Sequence, residues 1–323
     1  MIKKKKKNNI LSEINLVEEY YNTDPIALAV SGGPDSIAMM FLTSQSKKIK
    51  KENVTILTVD HDLRKDSRKE ANLVMQNAKK IGFKCKILKW KGLKPTSGIQ
   101  EAARRSRYDM MLSWCRENNV KKLFLAHHMD DQVETFLMRL SKGSGIDGLS
   151  SMSKQSNKEN LNIIRPFLEI PKVKLVEIAN FSKMEWISDP SNSNLSYQRS
   201  RIRKLIPILS KEGIDSHHIN LAIKRMDSAK DTLVKITNRG ISKYVKNMED
   251  IAYSLSYEAI NELSSEILLR ILDRIIMVSS GSIYPPRRAK VESILSWLRS
   301  DSKVTAKTLS GTVIRKRKDY IIF

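Results

Sequence analysis

Two short stretches of this chain carry side chains whose types and spacing suit chemistry. The first is Ser31-Gly32-Gly33-Pro34-Asp35-Ser36, preceded by the apolar residues 26–30 and followed by the apolar residues 37–42. The leading run is compatible with a strand and the trailing run with a helix, so the loop falls at a strand-to-helix turn. Successive backbone N–H groups at such a turn point into one concavity, and with the positive end of the helix dipole they bind a phosphate. Two glycines permit the tight turn and a close backbone approach. Asp35 would repel a phosphate directly; its position makes sense if Mg²⁺ lies between carboxylate and phosphates. The competing reading is a Gly-Gly-Pro turn capping a buried helix, with Asp35 as a helix-start residue. The Lys-Ser/Thr ending of the Walker A loop is missing, which argues against γ-phosphoryl transfer.

The second stretch is Ala126-His127-His128-Met129-Asp130-Asp131-Gln132-Val133-Glu134-Thr135, directly after the apolar Leu123-Phe124-Leu125. On the helix expected here, Asp131, Glu134 and Thr135 are neighbours on one face. Three uses are open. His127, His128 and Asp131 could ligate a metal, although the HExxH spacing is absent. Asp130 could cap the helix, with the other carboxylates on the surface. Asp131 and Glu134 could hold an ammonium group and accept its proton, which an amine must lose to become a nucleophile.

The elements that must position these groups alternate. Strands are expected at residues 26–30, 54–59, 84–90 and 123–126, with helices after the loop, from Asp66 to the stop at Gly82, from the Ser97-Gly98-Ile99-Gln100 capping box, and after His128. Tyr108, Met111, Leu112 and Cys115 form one buried stripe, and Val133, Phe136, Leu137 and Leu140 another. This is an α/β pattern, a parallel sheet with crossover helices. The Ser31, Asp60 and His127 strand ends would then emerge at one edge of the sheet, where open α/β sheets bind ligands. Residues 143–149 are glycine-rich and read as a mobile loop, residues 150–160 as a disordered polar loop, and Asp189-Pro190-Ser191-Asn192 as a tight turn. Helices at 217–240, 257–279 and 286–299 precede three short strands near 305–309, 312–316 and 320–323.

The chain has 323 residues, enough for two domains. With 58 Lys+Arg against 35 Asp+Glu the net charge is +23, which favours a polyanionic partner such as nucleic acid, although Lys/Asn/Ile-rich drift in composition contributes. No apolar run is long enough to span a membrane, and the basic residues 3–7 have no apolar region behind them. Cys85 and Cys115 are far apart, form no metal or cluster spacing, and suit a reducing, cytoplasmic setting.

The Ser31–Ser36 loop resembles the Ser-Gly-Gly-x-Asp-Ser loop of the PP-loop ATP pyrophosphatases, which attach AMP to an oxygen and release pyrophosphate. Further segments appear in order: Val59-Asp60-His61-Asp62-Leu63-Arg64, Gln100-Glu101-Ala102-Ala103-Arg104 with Arg107-Tyr108, the 126–135 stretch, residues 143–149, Arg165-Pro166, and Asp189-Pro190-Ser191-Asn192 with Arg199 and Arg203. Together, over residues 25–210, they are similar to the tRNA(Ile)-lysidine synthetase family; a weaker similarity continues at Tyr284-Pro285-Pro286-Arg287 and Thr308-Leu309-Ser310-Gly311.

The resemblance implies a PP-loop ATP-binding catalytic domain at 1–210. It also implies a basic, tRNA-binding α+β domain at 211–323, helical and ending in a small β-meander. ATP would adenylate the C2 oxygen of the wobble cytidine of a CAU-anticodon tRNA(Ile), and L-lysine would displace AMP to give lysidine. Ser31, Gly32, Gly33, Pro34 and Ser36 would bind ATP, and Asp35 would fix Mg²⁺. Arg107, with Arg104, would stabilise charge on the α-phosphate, Asp131 and Glu134 would bind lysine, and His127 would orient groups or shuttle a proton. Arg165, Arg199, Arg203 and Arg287 would face nucleotide or tRNA. One departure is Ser200, where relatives carry Asn. The rivals are a PP-loop tRNA thiolase, which needs cysteines this chain does not place together, and a non-catalytic basic RNA-binding protein, for which the acidic set would be superfluous.

Overall fold

The computed structural model describes residues 12–62, 66–90, 92, 98–187, 195–249, 252–282 and 284–323. Two compact units divide the chain, Met1–Met226 and Asp227–Phe323. In the first, strands β1 (Ile26–Ala29), β2 (Val54–Asp60), β3 (Lys84–Lys89), β4 (Lys122–Leu125), β5 (Gln155–Lys158) and β6 (Leu161–Ile164) form one sheet in the order β3-β2-β1-β4-β6-β5. All pairings are parallel except that of β5 with β6. Its helices are α1 (Ile14–Glu18), α2 (Pro34–Gln45), α3 (Ser67–Lys80), α4 (Ile99–Glu117), α5 (Met129–Leu140), α6 (Ile146–Leu149), α7 (Lys172–Ser182) and α8 (Gln198–Lys211).

β1 explains the layering. Successive strand side chains point to opposite faces. Ile26 and Leu28 pack with Ile37, Met40 and Leu42 of α2 and with Leu175 and Ile178 of α7. Ala27 lies on the other face, with Leu57, Leu123 and Leu125 against the expected stripe of Met111, Leu112 and Cys115 on α4, beside Tyr108. A strand covered on both faces is apolar at every position, as this one is. Ala29 stands opposite Leu57 and Leu125. The chain segments holding Ser31, Asp60 and His127 therefore leave the same edge of the sheet.

Four expectations are corrected. Within 150–160 the chain forms β5 and, through the turn at Glu159 and Asn160, enters β6. Both turn residues have positive φ (51° and 65°), the geometry of a two-residue hairpin turn that asparagine tolerates. The glycine-rich 143–149 stretch contains α6, and the Arg139 guanidinium donates to the Gly148 and Ser151 carbonyls. Leu140, expected in the buried stripe of α5, is 51% exposed at the helix end, while Val133 is fully buried. The small meander is part of a larger sheet, described below. The lysine run at 3–7, Leu63-Arg64, Ser97 and the Asp189-Pro190-Ser191-Asn192 turn lie outside the described residues.

Helix α9 (Ser216–Tyr244) runs from the first unit into the second. Its Ile219 and Ile223 pack with Val133 of α5, so residues 211–226 fold with the first unit rather than with the rest of 211–323. The second unit continues through β7 (Val245–Glu249), β8 (Ala252–Ser256), α10 (Tyr257–Glu262), α11 (Ser265–Ser280), α12 (Arg288–Arg299), β9 (Ala306–Leu309), β10 (Thr312–Lys316) and β11 (Tyr320–Ile322). The sheet has five antiparallel strands in the order β7-β8-β11-β10-β9. The amphipathic α11 and α12 bury Leu268, Ile271, Leu272, Val291 and Leu295 with Leu255, Ile314 and Ile321 of the sheet. Among the described residues no helix is long and apolar enough to cross a membrane.

Candidate active site

The loop between β1 and α2 is held by its own serines. Ser36 Oγ accepts the Ser31 N–H at 3.2 Å and donates to the Gly33 carbonyl at 2.9 Å, closing the turn at the helix start. Gly32 has φ +87°, the left-handed region that favours glycine, and a Cβ there would stand 2.8 Å from Ile187 Cδ1, whose side-chain end would have to shift. Pro34 opens α2, where its missing N–H costs nothing. The N–H groups of this first turn have no carbonyl four residues earlier within the helix, which makes the loop an anion cradle. Asp35 sits in that turn with Oδ1 buried and without a hydrogen-bond partner. An unshared hard oxygen donor beside a phosphate cradle fits Mg²⁺.

At the end of β4, the start of α5 brings its acidic and histidine side chains to the same edge. His128, not Asp130, is the N-cap: its Nδ1 accepts the Asp131 N–H at 3.4 Å, and Asp131 Oδ2 accepts the His128 N–H at 3.1 Å. Asp130 turns elsewhere, and its Oδ1 accepts the Lys172 N–H at 3.1 Å at the start of α7. Gln132 is buried and clamps the chain at Met152 through both its amide atoms, at 2.7 and 2.8 Å. Among the described residues no three His, Cys, Asp or Glu side chains assemble as a metal site, so the His127/His128/Asp131 ligand reading has no geometric support.

Electrostatics distinguish these groups. Burial drives the His127 imidazole far down, to about 3; Asp131 opposes this and Arg165, Arg104 and Arg107 reinforce it. His127 is therefore neutral at pH 7, and its Nδ1 is buried without a partner. Burial acts to raise the Asp131 carboxyl, but His128, His127 and Arg199 outweigh it and hold Asp131 below the usual carboxylate range. Burial disfavours a charged His128, yet Asp35, Asp131 and Asp130 outweigh it and raise the imidazole.

Glu134 has a distinct environment. It is 2% exposed, and both Arg199 and Arg203 of α8 converge on it. Arg199 Nε lies 2.8 Å from Oε2, and Arg203 reaches both oxygens, with Nη2 at 3.2 Å. Arg199 also donates to Thr135 at 3.4 Å. Ser200, the departure noted from sequence, is buried on α8. Arg104 and Arg107 flank the Tyr108 ring, with guanidinium carbons 5.6 and 5.9 Å from its centroid. Arg165 donates to the Ser153 carbonyl and Ser156 Oγ, both at 3.0 Å, and its Nε is buried and unpartnered.

Of the residues marked from sequence, Ser31–Ser36, His127, Asp131, Glu134, Arg104, Arg107, Arg165, Arg199 and Arg203 thus all belong to the first unit's sheet edge and its flanking helices. Arg287 belongs to the second unit, exposed at the N-cap of α12. The roles of Gln132 and His128 were missed. The signal for His128 was a potential cap three residues before Asp131, a spacing read only for metal.

Residues 4–209 match the PP-loop domain family. The chain is 39% identical over 307 residues to the tRNA(Ile)-lysidine synthase of Wolbachia pipientis wMel, covering 94% of this chain and 70% of that protein. It is 33% identical over 311 residues to that of Rhodopseudomonas palustris, covering 92% and 89%. Among solved structures, a U34-tRNA thiolase from Methanococcus maripaludis superposes with a TM-score of 0.58 at 18% identity, covering 68% of this chain and 78% of that one, which is a likeness of fold.

Proposed function

Because the chain belongs to the tRNA(Ile)-lysidine synthase family and carries its PP-loop domain, we propose that it ligates L-lysine to C2 of the wobble cytidine of a CAU-anticodon tRNA(Ile) at the expense of ATP. The observation that carries the reading is the meeting, at one sheet edge, of a phosphate cradle, an ionised Asp131 and a set of arginines.

In the first step the cytidine C2 oxygen bonds to the α-phosphorus of ATP and pyrophosphate leaves. The Ser31–Gly33 backbone and the start of α2 hold the phosphates. Mg²⁺, when held by Asp35, supplies charge neutralisation for the leaving pyrophosphate. Arg107 and Arg104, packed on Tyr108, face the charge that develops on the α-phosphate.

In the second step the lysine ε-amine bonds to C2, the C2–O bond to AMP breaks with AMP leaving, and the proton the ammonium gives up passes to solvent water. Asp131 is the group that positions the ammonium. Because Asp131 is a weak base, loss of the proton is helped by the surrounding guanidinium groups, which disfavour a further positive charge. His127, neutral and half-buried with its Nδ1 enclosed, orients groups rather than carrying a proton at pH 7. Glu134 anchors Arg199 and Arg203, which face the nucleotide or RNA backbone. The second unit, with Arg287 and the basic 315–318 run, grips the tRNA.

A thiolase reading is disfavoured by the cysteines. Burial pushes the Cys85 thiol up to about 11 and Cys115 up to about 12, so neither is a ready nucleophile. Two free thiols also suit a reducing cytoplasm. The test is to trap the intermediate: with ATP labelled at the α-phosphate and tRNA but no lysine, label should join the RNA, and lysine should release it as AMP. Label released without lysine, or never joined to RNA, would contradict the two-step order.

A further inference from the structure

The reaction above leaves His128 without a task, although it lies between its two halves. The side chain is 4% exposed. Its Nδ1 is committed as acceptor of the Asp131 N–H, so in the neutral ring the proton resides on Nε2. Nε2 lies 3.5 Å from Asp35 Oδ2 and 3.4 Å from Asp131 Oδ2. Asp35 enters from the loop after β1 and Asp131 from the helix after β4, and β1 and β4 are adjacent strands. Asp130, 3.9 Å from Nδ1, is the further acidic group nearby. Capping the helix uses Nδ1 alone. The reciprocal bond of the cap already brings the Asp131 carboxylate to His128, but nothing in it requires the far nitrogen to face Asp35, which comes from another loop.

We infer that His128 is a positioning residue that ties Asp35 to Asp131 through Nε2, holding the phosphate-side and amine-side carboxylates in fixed register. The inference rests on the function proposed above. With Oδ2 of Asp35 directed to His128, Oδ1 stays unshared for the metal–phosphate side. A link of this kind couples the two ligand sites, and such coupling is reciprocal in binding free energy.

Two substitutions separate the two nitrogens. In His128→Asn the amide oxygen stands near Nδ1 and keeps the cap, since Asn is a strong N-cap, but nothing reaches the Nε2 position. In His128→Gln the amide nitrogen reaches toward the Nε2 position while the cap is weakened. The measurements are thermal melting, ATP·Mg²⁺ affinity by titration calorimetry, and the lysine KM and kcat for AMP release from adenylated tRNA. His128→Asn should melt within a few degrees of the parent, yet bind ATP·Mg²⁺ about 10-fold more weakly and show a lysine KM about 10-fold higher, with a smaller change in kcat. His128→Gln should melt lower with both constants closer to the parent. If His128→Asn keeps both constants, or if each variant's constants simply follow its melting temperature, His128 is only a cap and the inference falls. A parent protein that transfers no lysine would instead sink the proposed function, while its ATP affinity still decides the role of His128.

Discussion

Replacing Glu134 by Gln asks whether this carboxylate anchors arginines or receives the incoming amine. The Glu134 side chain is 3% exposed and faces Arg199 and Arg203, whose side chains are 31% and 30% exposed. Breaking a fully buried ion pair by removing one partner costs about 3–5 kcal/mol. Here water reaches both guanidinium groups, and the amide of Gln still accepts one hydrogen bond, so ~2 kcal/mol is the reasoned cost. For a unit of this size that corresponds to a fall of about 4–8 °C in melting temperature. Differential scanning calorimetry at pH 7 measures it, with Arg203→Gln and the double variant completing a cycle. The double variant should lose less than the sum of the singles, because it no longer strands a charge. The lysine KM should change little beyond what lost stability explains. A melting temperature within about 1 °C of the parent, together with a lysine KM raised about 10-fold or more, would refute the anchoring argument and assign Glu134 to the amine.

Asp35→Asn should lower tRNA-dependent pyrophosphate release by about 10²–10³ while leaving melting within a few degrees; near-parental release would remove Asp35 from the phosphate side. For His127 the folded pKa, about 3, lies below the unfolded value, so the unfolded chain takes the proton first as pH falls. Its contribution is full above about pH 6.5 and declines toward pH 3, a loss of ~2 kcal/mol by pH 5. In urea unfolding, His127→Gln should therefore lose that much less stability than the parent between pH 7 and 5; equal losses would show that His127 is not buried neutral. Arg287→Ala should weaken tRNA binding and flatten the slope of log affinity against log salt by about 0.7–0.9, and an unchanged slope would remove Arg287 from phosphate contact.

The parallel sheet was legible because its central strands are apolar on both faces and end in polar clusters, so residues 26–30 and 123–126 announced themselves. The hairpin of β5 and β6 was not, because β5 is the polar edge Gln-Ser-Asn-Lys and only β6 carries buried residues. Its turn residue Asn160 was the available signal. β7 and β8 were hidden for a similar reason, being short and mixed in polarity beside a long helix. At the site, residue types disclosed the phosphate cradle and the acidic pair. They could not disclose that Glu134 is satisfied by arginines more than sixty residues away, a consequence of α8 packing on α5. Nor could they separate His127 from His128. Adjacent in sequence, one is driven neutral by burial among arginines and the other is held by three carboxylates.

The most direct test of the central claim is transfer of radiolabelled lysine to tRNA(Ile) with a CAU anticodon, in the presence of ATP and Mg²⁺, with methionine tRNA of the same anticodon as control. Label in the isoleucine tRNA and none in the methionine tRNA is the outcome expected. ATP consumed to AMP and pyrophosphate with no lysine on either RNA would contradict the account and send the search to another nucleophile.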